Sequence, residues 1–127
     1  MFFASPLFNP AVTPWSPLAR GLLAGSRKEQ TLRATTDQPA HLWYDHHAQE
    51  DSIVAAVEQV AANRGVPPAQ VALAWITSRQ GITSPIIGAT KSHHLDDAIA
   101  GLTLALTGDE ISSLEMPYRP RPVAGHE

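Results

Sequence analysis

The chain has 127 residues, 43% of them hydrophobic and 17% charged, the size and make-up of one folding unit rather than of a disordered tail. Nine Lys and Arg face twelve Asp and Glu, leaving a net charge of -3 with no basic run, so nucleic-acid binding lacks the clustered cations that phosphates require. The absence of cysteine excludes disulfides, thiol nucleophiles and zinc–thiolate sites, and no apolar run approaches the roughly twenty residues that cross a bilayer.

Residues 1–10 are a short apolar lead-in broken by Pro6 and Pro10. Without a basic start they do not read as a secretory signal, and a cytoplasmic protein is expected. Ala11 to Trp15 fits a short strand, bulged or cut where Pro14 removes a ladder donor. Ser16 to Gly25 reads as a loop with a glycine on each side of Leu22-Leu23-Ala24, and residues 26–49 as a long polar loop of the kind that carries function.

From residue 51 the pattern turns helical. Ile53, Val57, Val60, Ala61 and Arg64 recur at helical spacing, with Asp51 as N-cap and Gly65 as stop. Pro67-Pro68 opens a second helix running to about Arg79, apolar on nearly every side and hence deeply buried. Ile82 to Ile87 reads as a second short strand, Gly88 to Ser92 as a turn, and Ser92 to about Ala100 as a third helix with Leu95, Ala98, Ile99 and Leu102 on one face. Thr107-Gly108-Asp109-Glu110 is a capping box that opens a short fourth helix, with Ile111 and Leu114 inward and an extended tail from Pro117.

Strands separated by helices imply parallel pairing and an α/β fold. Two short parallel strands cannot make a stable sheet, because both outer edges stay unpaired. The expected architecture is therefore part of a larger α/β structure.

Three stretches carry a family resemblance. Val12-Thr13-Pro14-Trp15-Ser16-Pro17-Leu18-Ala19-Arg20-Gly21-Leu22-Leu23-Ala24-Gly25 resembles the seventh-strand segment of aldo-keto reductases. Pro67 to Trp75 resembles the helix that follows. Ile86-Ile87-Gly88-Ala89-Thr90-Lys91, with Leu95-Asp96-Asp97-Ala98, is similar to the eighth strand and the start of its cofactor-binding helix. The ending, Tyr118-Arg119-Pro120 to Gly125-His126, is similar as well. The resemblance covers about residues 11–126, in order, and leaves residues 1–10 unmatched. It implies the C-terminal portion of a TIM (β/α)8 barrel, with two short parallel strands and about four helices, in a family that reduces aldehydes and ketones with NADPH.

The resemblance also distributes roles. Trp15, Ser16, Pro17, Leu18, Ala19, Arg20 and Gly21 would line the cofactor NADP(H). Ser16 and the loop amides would hold its pyrophosphate, with Arg20 and Arg27 adding positive charge. Arg33 would reach the adenosine end, and Gly88 would let backbone approach the ligand. Thr90 and Lys91, at a helix N-terminus, would take the 2′-phosphate that separates NADP from NAD. His94 and Asp97 fall where the family often has Gln and Glu against adenine, while Ala98 replaces a frequent Asn. The family's Asp, Tyr, Lys and His tetrad belongs to earlier strands. Asp37, Tyr44, Lys91 and His93 occur in the same order here, but their spacing and context do not fit, so no catalytic residue is assigned. His41, Asp45, His46 and His47 do not form an ordered ligand set, so no metal site is assigned.

Three functions are then open. The chain is the C-terminal part of an NADP-dependent oxidoreductase, truncated and inactive alone. Or it completes a barrel with a separately made N-terminal half. Or it is a non-catalytic NADP-binding module. Strand edges left open favour the first, and the apolar Val12, Trp15, Ile86 and Ile87 would then be exposed, so the isolated chain is expected to self-associate or aggregate. No nucleic acid or membrane partner is expected.

Overall fold

The computed structural model describes residues 10–25 and 48–120. The first nine residues, the polar stretch 26–47 and the tail beyond Pro120 lie outside the described residues. So do Arg27, Arg33, Asp37, His41, Tyr44, Asp45, His46 and His47.

Among the described residues four α-helices follow one another: α1 (Ala48–Arg64), α2 (Pro68–Thr77), α3 (Ser92–Thr103) and α4 (Gly108–Glu115). α1 begins three residues before the expected cap at Asp51 and ends as expected. Gly65 takes φ 65°, the Gly65 N–H donates to the Ala62 carbonyl and the Val66 N–H to the Ala61 carbonyl. That bond pair is a Schellman stop, and it uses glycine because a side chain resists this backbone. α2 starts behind Pro67, with Pro68 in its first turn, where the missing N–H costs nothing.

The centre is where α1, α2 and α4 meet. Val57, Val60, Ala61, Val71 and Leu114 form the buried cluster, with Val71 fully enclosed. Each such side chain contributes about 1.5–3 kcal/mol by leaving water. Ala69, Ala72, Leu73 and Ala74 are buried too, so α2 lies between α1 and α3, as its all-round apolar sequence implies, and α4 packs mainly on α1. Trp75 is only half-buried: its Nε1 donates to Glu115 Oε1 at 2.9 Å, and Arg79 reaches the same oxygen at 2.8 Å, tying α2 to α4.

α3 lies against α2 at unusually short range. A Cβ on the buried Gly101 would stand 3.1 Å from Leu73 Cβ and 3.2 Å from the Gln70 carbonyl oxygen, so a side chain there would push its neighbours back by a few tenths of an ångström, and glycine lets the helices meet without that shift. This contact turns α3 so that Ala98 and Gly101 face α2. Leu95, Ile99 and Leu102 remain 51%, 56% and 67% exposed. They border an open cleft of about 590 Å³, lined also by Leu73, Thr77, Ile82 and Ile87.

The two expected strands are present only as parallel bridges, Val12 with Ile82 and Trp15 with Ile86. The Thr83 and Ile86 N–H groups donate to the Val12 and Pro14 carbonyls, each at 2.8 Å. A continuous ladder is blocked because each segment carries a proline, Pro14 and Pro85, without an N–H to give. The spacing is also uneven: the bridge partners are three residues apart on the first segment and four on the second. The additional residue is a bulge-like step, and the Thr83 and Ser84 N–H groups both point to the Val12 carbonyl, at 2.8 and 3.5 Å. Trp15, Ile86 and Ile87 are exposed, as expected of unpaired edges, while Val12 is half-buried.

The capping box at α4 is complete. Thr107 Oγ1 accepts from the Glu110 N–H, and Glu110 Oε2 accepts from the Thr107 N–H at 2.7 Å. The same carboxylate receives the Arg64 guanidinium, whose Nη2 also donates to the Ala105 carbonyl. The Arg64 hydrogen bonds, with the Thr107 N–H second, lower the Glu110 pKa from 4.5 to about 2. A depressed carboxylate pKa stabilises the fold above the unfolded value and loses that contribution as pH falls through the folded one. Thermal melting of the parent chain should therefore lose stability between about pH 4.5 and 2, and Glu110→Gln should flatten that slope; equal slopes would remove Glu110 as its source.

Candidate functional site

Parallel pairing decides which loops can act together. Both segments run the same way, so the chain leaves Trp15 and Ile86 at one edge of the pair. Ser16 to Gly21 and Gly88 to Lys91 thus start side by side. In open α/β sheets and barrels alike, ligands sit at this C-terminal edge.

The first loop is tightly wound. Ser16, Ala19 and Arg20 hold φ of 52°, 48° and 56°, left-handed values that each cost a non-glycine residue about 1–2 kcal/mol. Gly21 continues the turn at φ 98° without that cost. Such strained runs persist where surrounding contacts enforce them, and they gather at ligand sites. Here the Ala19 N–H donates to the Ser16 carbonyl at 3.0 Å, the Gly21 N–H to the Leu18 carbonyl at 3.0 Å, and the Arg20 N–H to Ser16 Oγ at 3.2 Å. The turn is kinked at Arg20 and Gly21, where the backbone is not helical, and it ends at Gly25 with φ 78°. Three amides expected to face a phosphate are thus occupied within the loop. The exposed Arg20 side chain is the loop's outward cation, and Ser16, Pro17 and Leu18 are half-buried beside it.

Gly88, Thr90 and Lys91 of the second loop are all exposed. An added Cβ at Gly88 would meet no atom within 4 Å, so neither packing nor a left-handed turn within this chain requires a glycine there. Lys91 caps α3 with extended backbone and makes no side-chain capping bond. It has no ion pair among the described residues, which leaves its ammonium beside the positive end of the helix. His94 folds back, its Nδ1 accepting from the Thr90 N–H at 3.4 Å, and its ring meets His93 edge-on with centroids 4.5 Å apart.

Asp97 sits differently from what an adenine contact suggests: its Oδ1 accepts from Gln70 Nε2 at 2.9 Å across the α2–α3 interface. Sequence reading placed Gln70 in a family-like helix and gave it no role. The available signal was its polarity inside Pro68-Ala69-Gln70-Val71-Ala72-Leu73-Ala74, an otherwise apolar run.

Of the four tetrad look-alikes, Lys91 and His93 stand together at the start of α3, while Asp37 and Tyr44 fall outside the described residues. Among the described residues there is no group of three His, Asp or Glu side chains able to hold a metal ion, and no helix long and apolar enough to cross a membrane.

The sequence matches the aldo/keto reductase family over residues 4–118. The chain belongs to that family. It is 37% identical over 115 residues to an aldo-keto reductase of Fusarium vanettenii, covering 89% of this chain and 30% of the relative. An aldo-keto reductase of Alternaria alternata is 39% identical over 116 residues, with 89% and 30% covered. The versiconal hemiacetal acetate reductase of Aspergillus parasiticus is 36% identical over 116 residues, with 89% and 34% covered. This reductase-family chain thus spans about a third of the length of the curated relatives it matches. The family is one of oxidoreductases that use NAD(P)H, and its fold is the TIM barrel.

Arg20 and Lys91 are exposed on the two loops that follow the paired segments, Lys91 stands at the N-terminus of α3, and no described atom crowds Gly88, a set of groups that could hold a phosphate. Gly88→Val should leave the free energy of unfolding within about 0.5 kcal/mol of the parent chain, as is usual for surface substitutions. It should weaken NADPH binding by roughly tenfold or more by filling the approach; unchanged affinity would show that nothing binds against Gly88.

Proposed function

We propose that this chain is the cofactor-holding C-terminal part of an NADP(H)-dependent oxidoreductase of aldehydes and ketones. The observation that carries the reading is the parallel pairing of Trp15 with Ile86, which sets the Ser16–Gly21 and Gly88–Lys91 loops at one edge. Arg20 from one loop and Lys91 from the other neutralise phosphate charge. Thr90 and the α3 N-terminus add donors for the 2′-phosphate, which favours NADP over NAD. Trp15 and Leu18 flank the cofactor with apolar surface; Arg33, outside the described residues, is assigned to the adenosine end by the family resemblance alone. When bound, the cofactor supplies the hydride. These residues bind and orient it.

Protonation of the carbonyl oxygen needs a positioned acid, and the family uses a Tyr tuned by its neighbours. That tetrad belongs to elements this sequence does not match, so the chain is inactive alone and serves as one part of a larger catalytic unit. A separately made N-terminal half would complete it. The exposed Leu95, Ile99 and Leu102 of α3 favour this second reading, because an apolar helix face beside an open strand edge is the surface that barrel closure would cover. The chemistry and substrates of the whole protein rest on that completion.

The test is a fluorescence titration of the purified chain, with NADH as control and the 62% exposed Trp15 as a built-in reporter. Saturable quenching that prefers NADPH, without turnover of any aldehyde, is the expected result. Absence of binding from a folded chain, or carbonyl reduction by the chain alone, would overturn it.

A further inference from the structure

The α2-facing stripe of α3 holds a contact whose consequence reaches the phosphate site. Along it lie His94, folded back onto Thr90; Asp97, bonded to Gln70; and Gly101, pressed against Leu73 and the Gln70 backbone. Gln70 thus touches α3 twice, through its side-chain amide at Asp97 and through its carbonyl at Gly101. Gly101 fixes how close the helices stand, and at that separation the short carboxylate of Asp97 meets the longer amide of Gln70.

Asp97 lies six residues beyond Lys91 and three beyond His94, on the turns that lead to the proposed phosphate site. A carboxylate free to turn towards that end would oppose the 2′-phosphate and compete for the Lys91 ammonium. NADH, which lacks that phosphate, would be little affected. We infer that Gln70 is a specificity-determining positioning residue: its amide holds the Asp97 carboxylate against α2 and so keeps the Lys91 end of α3 receptive to a 2′-phosphate. The inference rests on the cofactor reading above. Gln70 suits the task because an amide N–H donates to the carboxylate without bringing a competing charge. The half-buried setting strengthens the bond relative to one in open water.

The exposed Asp96 neighbours Asp97 and keeps its charge in either case, so the effect sought is the difference made by one carboxylate. Six residues of helix span about 9 Å, and two unit charges that far apart at a half-exposed surface, with an effective dielectric of about 40, interact by about 1 kcal/mol, close to a fivefold change in affinity.

The experiment measures NADPH and NADH affinities for the parent chain, Gln70→Leu, and Gln70→Leu with Asp97→Asn. The expected result is a roughly five- to tenfold loss of NADPH-over-NADH preference in the single variant and its recovery in the double variant, where the released group no longer carries charge. A purely structural role predicts that both cofactors weaken in proportion and that Asp97→Asn restores neither; that pattern, or an unchanged preference, overturns the inference. The Gln70 side-chain amide resonance, followed without nucleotide in Asp97→Asn, reports the bond separately. If that resonance moves but the parent chain binds neither cofactor, the cofactor reading fails, and with it the specificity role. Gln70–Asp97 then remains a clamp between helices.

Discussion

Two parallel bridges, Val12 with Ile82 and Trp15 with Ile86, determine which distant residues of this chain can cooperate. Sixty-six residues lie between the two loops along the sequence, and no direct contact between their side chains is needed to bring them together. Direction is enough: two segments running the same way must release their following loops at the same edge. Had the pairing been antiparallel, Arg20 and Lys91 would lead off from opposite ends and no shared phosphate site could exist.

The bridges are weak by themselves, so the helices must hold them in place. α2 does most of this, because its buried Ala69 and Val71 to Ala74 give α1 and α3 a surface to pack on, while α4 packs mainly on α1. Gly101 draws α3 close, and Arg64, Glu110 and the α4 capping box close the far side. What α2 does not cover is as informative. The half-exposed Leu95, Ile99 and Leu102, the cleft beneath them and the unpaired strand edges together form a surface built for burial. In a family whose fold is a closed barrel, and whose matched relatives are about three times as long, that surface is the one the proposed completion of the barrel would cover.

Much of this was legible from local rules. The Gly65 stop, the proline start of α2 and the Thr107–Glu110 box each depend on a few neighbouring residues, and each is present with the expected bonds. The strands were legible as extended segments but not as bridges, since the combined effect of Pro14 and Pro85 appears only once the partners are aligned. The orientation of α3 was hidden for a similar reason. Its apolar positions define a face, but a tertiary contact through Gly101 turned that face outward, overriding the pattern. At the site, the positive charges and glycine of the two loops were readable from sequence. The curl that occupies the Ala19, Arg20 and Gly21 amides and the diversion of Asp97 to Gln70 were not, because both depend on geometry between residues rather than on their types.

The account stands on the two loops forming one site. Backbone NMR of the isotopically labelled chain titrated with NADPH tests this most directly. The prediction is that amide signals across Ser16–Gly21, Pro17 aside, and across Gly88–His94 shift together and saturate with a single dissociation constant. Shifts confined to one loop, or two loops saturating at different concentrations, would contradict it.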